Sequence, residues 1–164
     1  VTHPAQLDPQ ELAAQCKATT TRRSGPGGQH RNKVETAVVL THEPTGISAE
    51  ANERRSQQAN REQALERLRL RLAVEFRTAV EPLSERWKRR TQGGRIAVNV
   101  QHEDYAALVA EALNHLAAHD FDTRQAADQL GVSATQLVNL LKKSTSPFTR
   151  LNQERTERGL HPLK

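Results

Sequence analysis

Gly27, Gly28 and Gln29 sit at the centre of the stretch of this 164-residue sequence whose residue types best suit chemistry, Arg23-Ser24-Gly25-Pro26-Gly27-Gly28-Gln29-His30-Arg31-Asn32-Lys33. Three glycines and a proline make a loop, and glycine backbone enters spaces that a side chain would fill. Gln29 carries two amide donors, an acceptor and its own backbone N–H, but it is neither an acid nor a base. A catalytic part for it is therefore positional: placing water, and stabilising developing negative charge through N–H groups. Arg22, Arg23, Arg31 and Lys33 flank the loop with no acid among them, which suits anchoring to phosphates. A bare Gly-Gly-Gln is also an ordinary surface turn, so the wider context has to decide.

The elements around the loop are legible from pattern. Asp8-Pro9 starts a short helix, with Asp as cap and Pro in the first turn. Residues 17–23 are Thr-rich and read as a strand. Residues 36–42 and 47–51 read as two more, joined through Glu43-Pro44-Thr45-Gly46 as a hairpin. Ser56 caps a helix running to about Val80, with Ala64, Leu65, Leu68, Leu72 and Phe76 as its buried stripe and Pro82 as its breaker. Residues 95–100 suggest a short strand, and residues 103–119 an amphipathic helix. Residues 123–142 fit a helix-turn-helix template, with Ala127 at the crossing and Gly131 at the turn. The expected fold is α+β: a small mixed or antiparallel sheet with a long helix packed on one face, followed by a helical, helix-turn-helix-like C-terminal unit. The expected division is a first domain at 1–80, a basic linker at 81–94, a helical unit at 95–145 and a basic polar tail at 146–164.

Composition narrows the function classes. Lys and Arg number 24 against 19 Asp and Glu, a net charge of +5, and the excess is clustered. Residues 22–33, 53–71, 85–95 and 142–164 are basic, whereas residues 101–128 hold six acids against Arg124. Basic stretches alternating with an acidic one suggest one surface facing a polyanion and another turned away. Val, Ile, Leu and Phe total 34, only just enough to escape a disordered composition, so the core is small and aliphatic. The single cysteine, Cys16, excludes an internal disulfide and fits a reducing compartment. No apolar run approaches the ~20 residues of a membrane span, and no secretory signal opens the chain. The histidines and Cys16 show no metal-ligand spacing, so neither metal nor cofactor is expected. These points predict a cytoplasmic protein.

Several motifs in order carry a resemblance. Ser24-Gly25-Pro26-Gly27-Gly28-Gln29-His30 is followed by Asn32-Lys33, Thr41-His42, Pro44-Thr45-Gly46-Ile47, Arg55-Ser56-Gln57, Asn60-Arg61-Glu62 and Ala64-Leu65. Over about residues 17–75 this resembles the peptidyl-tRNA-hydrolysing domain of class I peptide chain release factors. The resemblance implies a loop that enters the ribosomal peptidyl transferase centre, where the ester between peptide and tRNA is hydrolysed. It implies catalytic roles for Gly27, Gly28 and Gln29: the Gln29 backbone N–H at the leaving ribose oxygen, its side chain admitting water and excluding larger nucleophiles, and the glycines supplying the backbone angles. It implies RNA contacts from Arg22, Arg23, Ser24, Gly25, Pro26, His30, Arg31, Asn32 and Lys33, and from Arg54, Arg55, Ser56, Gln57, Asn60 and Arg61. The family's glutamine is often methylated, which makes Gln29 a modification candidate and a glutamine methyltransferase a partner. The main partner implied is the ribosome, through large-subunit rRNA and peptidyl-tRNA, with the chain acting as a monomer. Two departures stand out: Arg31 where valine is common, and Thr36 and Val39 where serine and arginine are common.

Only 26 residues precede Gly27, whereas a stop-codon-reading factor places a large decoding region there. The expectation is a codon-independent hydrolase that rescues stalled ribosomes, with the 146–164 tail, mobile until bound, as sensor of missing mRNA. Ser146-Pro147-Phe148 matches a stop-codon-reading tripeptide, but it lies downstream of the loop and reads as a helix start. Trp87, among Arg86, Lys88, Arg89 and Arg90, is expected to pack on the hydrolase domain rather than stack on a base. Two alternatives stand beside the enzyme reading. One is a non-catalytic ribosome- or RNA-binding module that keeps the loop. The other is a DNA-binding regulator using residues 123–142, weakened because its second helix has no basic residue before Lys142.

Overall fold

A computed structural model describes residues 1–21 and 36–164. The loop residues from Arg22 to Lys33 lie outside the described residues. By packing, the chain divides into one unit of residues 7–72 and another of residues 1–6 together with 73–164. The expected boundary near residue 80 thus falls at 72/73, and the first six residues pack with the C-terminal part.

The 7–72 unit begins with helix α1 (Pro9–Ala14), where the Asp8 carboxylate accepts from the N–H groups of Gln10 at 2.8 Å and Glu11 at 3.2 Å. Strands β1 (Cys16–Thr21), β2 (Ala37–His42) and β3 (Ser48–Ala51) form an antiparallel sheet in that order. The register pairs Cys16 with His42 and Thr21 with Ala37, then Val38 with Ala51 and Leu40 with Ala49. Alternation along β2 buries Val38, Leu40 and His42 and leaves Val39 and Thr41 half-exposed. Helix α2 (Gln57–Glu75) supplies the apolar stripe Ala64, Leu68 and Leu72, each wholly buried. Burial of each leucine is worth about 1.5–3 kcal/mol against its exposed state. The helix stops five residues short of the expected Val80.

The β2–β3 turn is locked by side chains. Gly46 takes φ +75°, which suits glycine, and its N–H donates to the His42 carbonyl at 2.7 Å. The His42 ring bonds Gln15 Oε1 through Nε2 at 2.7 Å and Thr45 Oγ1 through Nδ1 at 2.8 Å. Gln15 Oε1 can only accept, so Nε2 carries the proton and Nδ1 accepts from the Thr45 hydroxyl. Burial pushes the His42 pKa below the usual histidine value.

The second unit is built on helix α4 (Asp104–Ala118), buried continuously from Tyr105 to Leu116. Around it lie helix α3 (Glu85–Arg90), a two-stranded hairpin of β4 (Thr91–Gln92) and β5 (Arg95–Ile96), and helices α5 (Thr123–Leu130), α6 (Ala134–Lys142) and α7 (Thr145–Glu157). Helices α5 and α6 follow one another across the three residues 131–133. Asp122 and Ser133 cap the two helices, and Gly131 takes φ +71° between them. No helix among the described residues is long and apolar enough to cross a membrane.

Five expectations change here. Residues 81–94 hold α3 and β4 rather than a linker: Ser84 caps the helix, and Trp87 is wholly buried with its indole N–H donating to the Leu130 carbonyl at 2.8 Å. Trp87 therefore packs within this unit. Residues 76–84 leave the helical path because α4 holds them by side chain. Asn114 accepts from the Thr78 N–H at 3.0 Å, and Glu111 accepts from the Ser84 N–H at 2.8 Å and hydroxyl at 2.7 Å. The 95–100 strand shrinks to two residues, since the Ile96 N–H goes to Gln136 and the Ala97 N–H to the Arg90 carbonyl. The expected mobile tail is mostly helix α7, with Pro147 and Leu151 buried, and Asn152 pairs both ways with the Leu163 backbone at 2.7 and 2.9 Å.

Two polar clusters finish the unit. Asp104 accepts from Arg86 at 3.0 Å and Arg90 at 2.9 Å. Burial alone would raise its pKa, but the bonds from Arg90 and Arg86 outweigh that and hold it low. Asp120 and Phe121 take φ of +52° and +60°, an uncommon backbone for such residues. Arg155 donates to the Phe121 carbonyl at 2.8 Å, and the Arg158 guanidinium lies 4.6 Å from the Phe121 ring centre.

Candidate functional site

The sheet brings the two ends of the segment that carries Gly27, Gly28 and Gln29 together. Thr21 and Ala37 are paired residues of adjacent strands, so the chain leaves the sheet after Thr21 and rejoins it at Ala37. The described part of its return is Thr36, which is buried. The Thr36 carbonyl accepts from Asn60 Nδ2 at 2.7 Å.

Asn60 lies in the first turn of α2 and is wholly buried. Its second amide hydrogen goes to the Arg54 carbonyl at 3.0 Å, and its Oδ1 accepts from the Arg54 N–H at 2.9 Å. Both hydrogens and the oxygen are thus spent inside the protein. As folded, Asn60, one of the expected RNA contacts, presents no free amide hydrogen to an outside ligand. The signal was in the sequence, since Asn60 stands four residues before Ala64 on the stripe that continues to Leu68 and Leu72. Next to it, Ser56 Oγ accepts from the Ala59 N–H at 3.1 Å as a helix cap, so its hydroxyl too has local work.

The arginines of residues 53–71 sort into two sets. Arg67 donates to the Glu50 carbonyl at 2.9 Å and to Glu53 at 3.0 Å. That bond from Arg67 holds the Glu53 carboxyl below its usual pKa. Arg69 is buried and donates to the Leu7 carbonyl at 2.7 Å, and Arg71 donates to the Ser48 carbonyl. These three bind the unit to itself, a role that the sequence did not distinguish from the other three. Arg54, Arg55 and Arg61 are exposed, and their side chains have no hydrogen bond or ion pair among the described residues. Gln57, also expected to touch RNA, is exposed beside them.

Three guanidiniums at the head of α2, next to the return of a glycine-rich segment, are suited to phosphate oxygens. No group of His, Cys, Asp and Glu among the described residues is arranged to hold a metal ion. Burial, with Glu43 nearby, raises the Cys16 thiol pKa, and its Sγ points to the Leu12 carbonyl at 3.2 Å, so it is not an activated nucleophile. The first turn of α6, which in a DNA reader faces base edges, is docked on the hairpin. The Ser133 N–H donates to the Gly94 carbonyl at 3.0 Å, and Gln136 Oε1 accepts from the Ile96 N–H at 3.1 Å. That arrangement weighs against the DNA-binding alternative.

Compared with known families, residues 6–107 match the family described as RF-1 domain. The chain is 43% identical over 81 residues to peptide chain release factor 1 of Xylella fastidiosa, a stretch covering 49% of this chain and 22% of that protein. It is 44% identical over 75 residues to peptide chain release factor 1 of Caldicellulosiruptor saccharolyticus, covering 46% of this chain and 21% of that one. The aligned stretch spans about a fifth of the length of these curated relatives.

Proposed function

The chain belongs to the RF-1 domain family of class I release factors, and we propose that it hydrolyses peptidyl-tRNA in the ribosomal peptidyl transferase centre without reading a codon. Water attacks the ester carbonyl that joins the nascent peptide to the tRNA ribose. The bond to the ribose oxygen breaks, that oxygen takes up a proton from the water, and the peptide leaves as its acid. The Gln29 backbone N–H stabilises charge on the leaving ribose oxygen, and the Gln29 side chain places water while excluding larger nucleophiles. Gly27 and Gly28 supply backbone angles and close approach. Arg54, Arg55 and Arg61 anchor the domain to rRNA phosphates, together with Arg22, Arg23, Arg31 and Lys33 around the loop. The ribosome is the partner, the chain acts as a cytoplasmic monomer, and Gln29 is the substrate of a glutamine methyltransferase.

The observation that carries this reading is the frame around the motif. The Gly27-Gly28-Gln29 string lies along the chain between the paired residues Thr21 and Ala37, with three exposed guanidiniums at the head of the helix that holds its return. The test is peptide release from ribosome complexes that hold peptidyl-tRNA and present a stop codon, a sense codon or no codon in the A site. Release from all three is expected. Release confined to one codon type keeps the hydrolase and removes codon independence. Saturable ribosome binding with no release leaves the non-catalytic module instead.

A further inference from the structure

We propose that Asn60 is a positioning residue for the release reaction, tying the place where the chain returns at Thr36 to the exposed arginine pair Arg54 and Arg55. The inference rests on the hydrolase reading above and deepens it. One carboxamide makes three bonds to two distant backbone segments: to the Thr36 carbonyl at 2.7 Å, and to the Arg54 carbonyl and N–H at 3.0 and 2.9 Å. The two-point bond to Arg54 imitates a strand partner, so it holds both peptide groups that flank the Arg54 Cα. The Asn60 N–H in turn donates to the Ser56 carbonyl at 3.1 Å, which roots the side chain in the helix. The Asn60 side chain is wholly buried and its bond to Thr36 lies away from water, where a polar group left unpaired is costly, while the two bonds to Arg54 are part-buried.

The consequence is mechanical. Arg54 and Arg55 are exposed and free to meet phosphates, whereas Thr36 is buried and belongs to the chain returning from the glycine-rich segment. Anchoring the arginines to RNA therefore also sets where Thr36 sits, through a side chain that has no slack. No other side chain type fills the role. Aspartate keeps the acceptor for the Arg54 N–H but loses both donors, and it places a carboxylate against two carbonyl oxygens. Alanine leaves three backbone groups unpaired. Glutamine adds a methylene to a filled site.

The experiment measures single-turnover peptide release against concentration of the full chain, for wild type, Asn60→Asp and Asn60→Ala. Ala64→Gly serves as a variant destabilised in the same helix without touching the three bonds. All are assayed well below their melting temperatures, which circular dichroism supplies. Both Asn60 variants should lose at least tenfold in maximal rate while the half-saturating concentration moves less than threefold. Ala64→Gly should keep both values. A buried carboxyl facing two carbonyls has a raised pKa and regains a donor when protonated. The rate of Asn60→Asp relative to wild type should therefore climb as pH falls from 8 to 6. Equal rate losses in Ala64→Gly and the Asn60 variants, or wild-type maximal rates in Asn60→Asp, would overturn the proposal while leaving the hydrolase reading intact. A wild-type chain that binds ribosomes and releases nothing would overturn both.

Discussion

At the scale of single residues, the glycines and the glutamine are expected to fail differently. A Cβ at position 27 or 28 removes backbone angles and close approach, so Gly27→Ala or Gly28→Ala should abolish release while ribosome binding survives. Gln29→Ala keeps its backbone N–H and should lose less. Misplacing the Gln29 N–H forfeits a charge-stabilising donor, a loss of about 10²–10³ in rate, which is the least expected of the glycine variants. Release by either glycine variant at the wild-type rate would remove the enzyme reading. His42 gives a test in the folded state alone. Its folded pKa lies below the unfolded value, so the unfolded chain binds the extra proton. The stability it contributes is present above about pH 6.5 and is lost as pH falls toward the folded pKa. Urea midpoints followed by circular dichroism should therefore drop between pH 7.5 and 5, and His42→Gln should flatten that drop. The sequence showed Thr41-His42 and Pro44-Thr45-Gly46 as motif residues, but not that His42, Thr45 and Gln15 close one hydrogen-bonded lock. Gln15 is 27 positions away, and local pattern carries no such pairing.

At the scale of elements, what could be read ahead was whatever is written in local period. The three strands, the Gly46 turn, the stripe of α2 and the α5–α6 pair each follow from spacing and caps. What escaped depended on distant partners. The end of α2, the folding of residues 81–94 and the short β5 are decided by Asn114, Glu111, Leu130 and Gln136, all far along the chain. Basic composition around Trp87 concealed that its helix is capped by Ser84 and buries the tryptophan. Truncation here is a strong test. Trp87→Ala removes a wholly buried ring and a bond to Leu130, and should cost about 3–5 kcal/mol, seen as a lower urea midpoint by circular dichroism. A loss under about 1 kcal/mol would show that the helix behaves as the linker its composition suggests.

At the scale of the whole molecule, the family match covers residues 6–107, whereas the second packing unit continues to Lys164. Helices α5, α6 and α7 therefore lie beyond the matched stretch and owe their form to their own buried leucines. Cutting the chain after Ser144 would remove buried Leu151 along with the terminal charges, so charge reversal is the cleaner probe of function. Binding should weaken steeply as salt rises, because guanidiniums displace counterions from phosphates. Arg54→Glu with Arg55→Glu should lower affinity on every ribosomal complex and make its salt dependence shallower. An affinity indifferent to salt would assign the binding to protein contacts.

The burial of Trp87 decides what light can report. The chain has one tryptophan and one tyrosine, and both Trp87 and Tyr105 are buried in the unit that contains residues 73–164. Intrinsic fluorescence therefore watches that unit alone and is blind to the sheet from which the glycine-rich segment departs. A denaturation curve followed by emission and one followed by far-ultraviolet dichroism sample different parts of one polypeptide. Their coincidence would mark one cooperative transition, and their separation would give each unit its own free energy of unfolding.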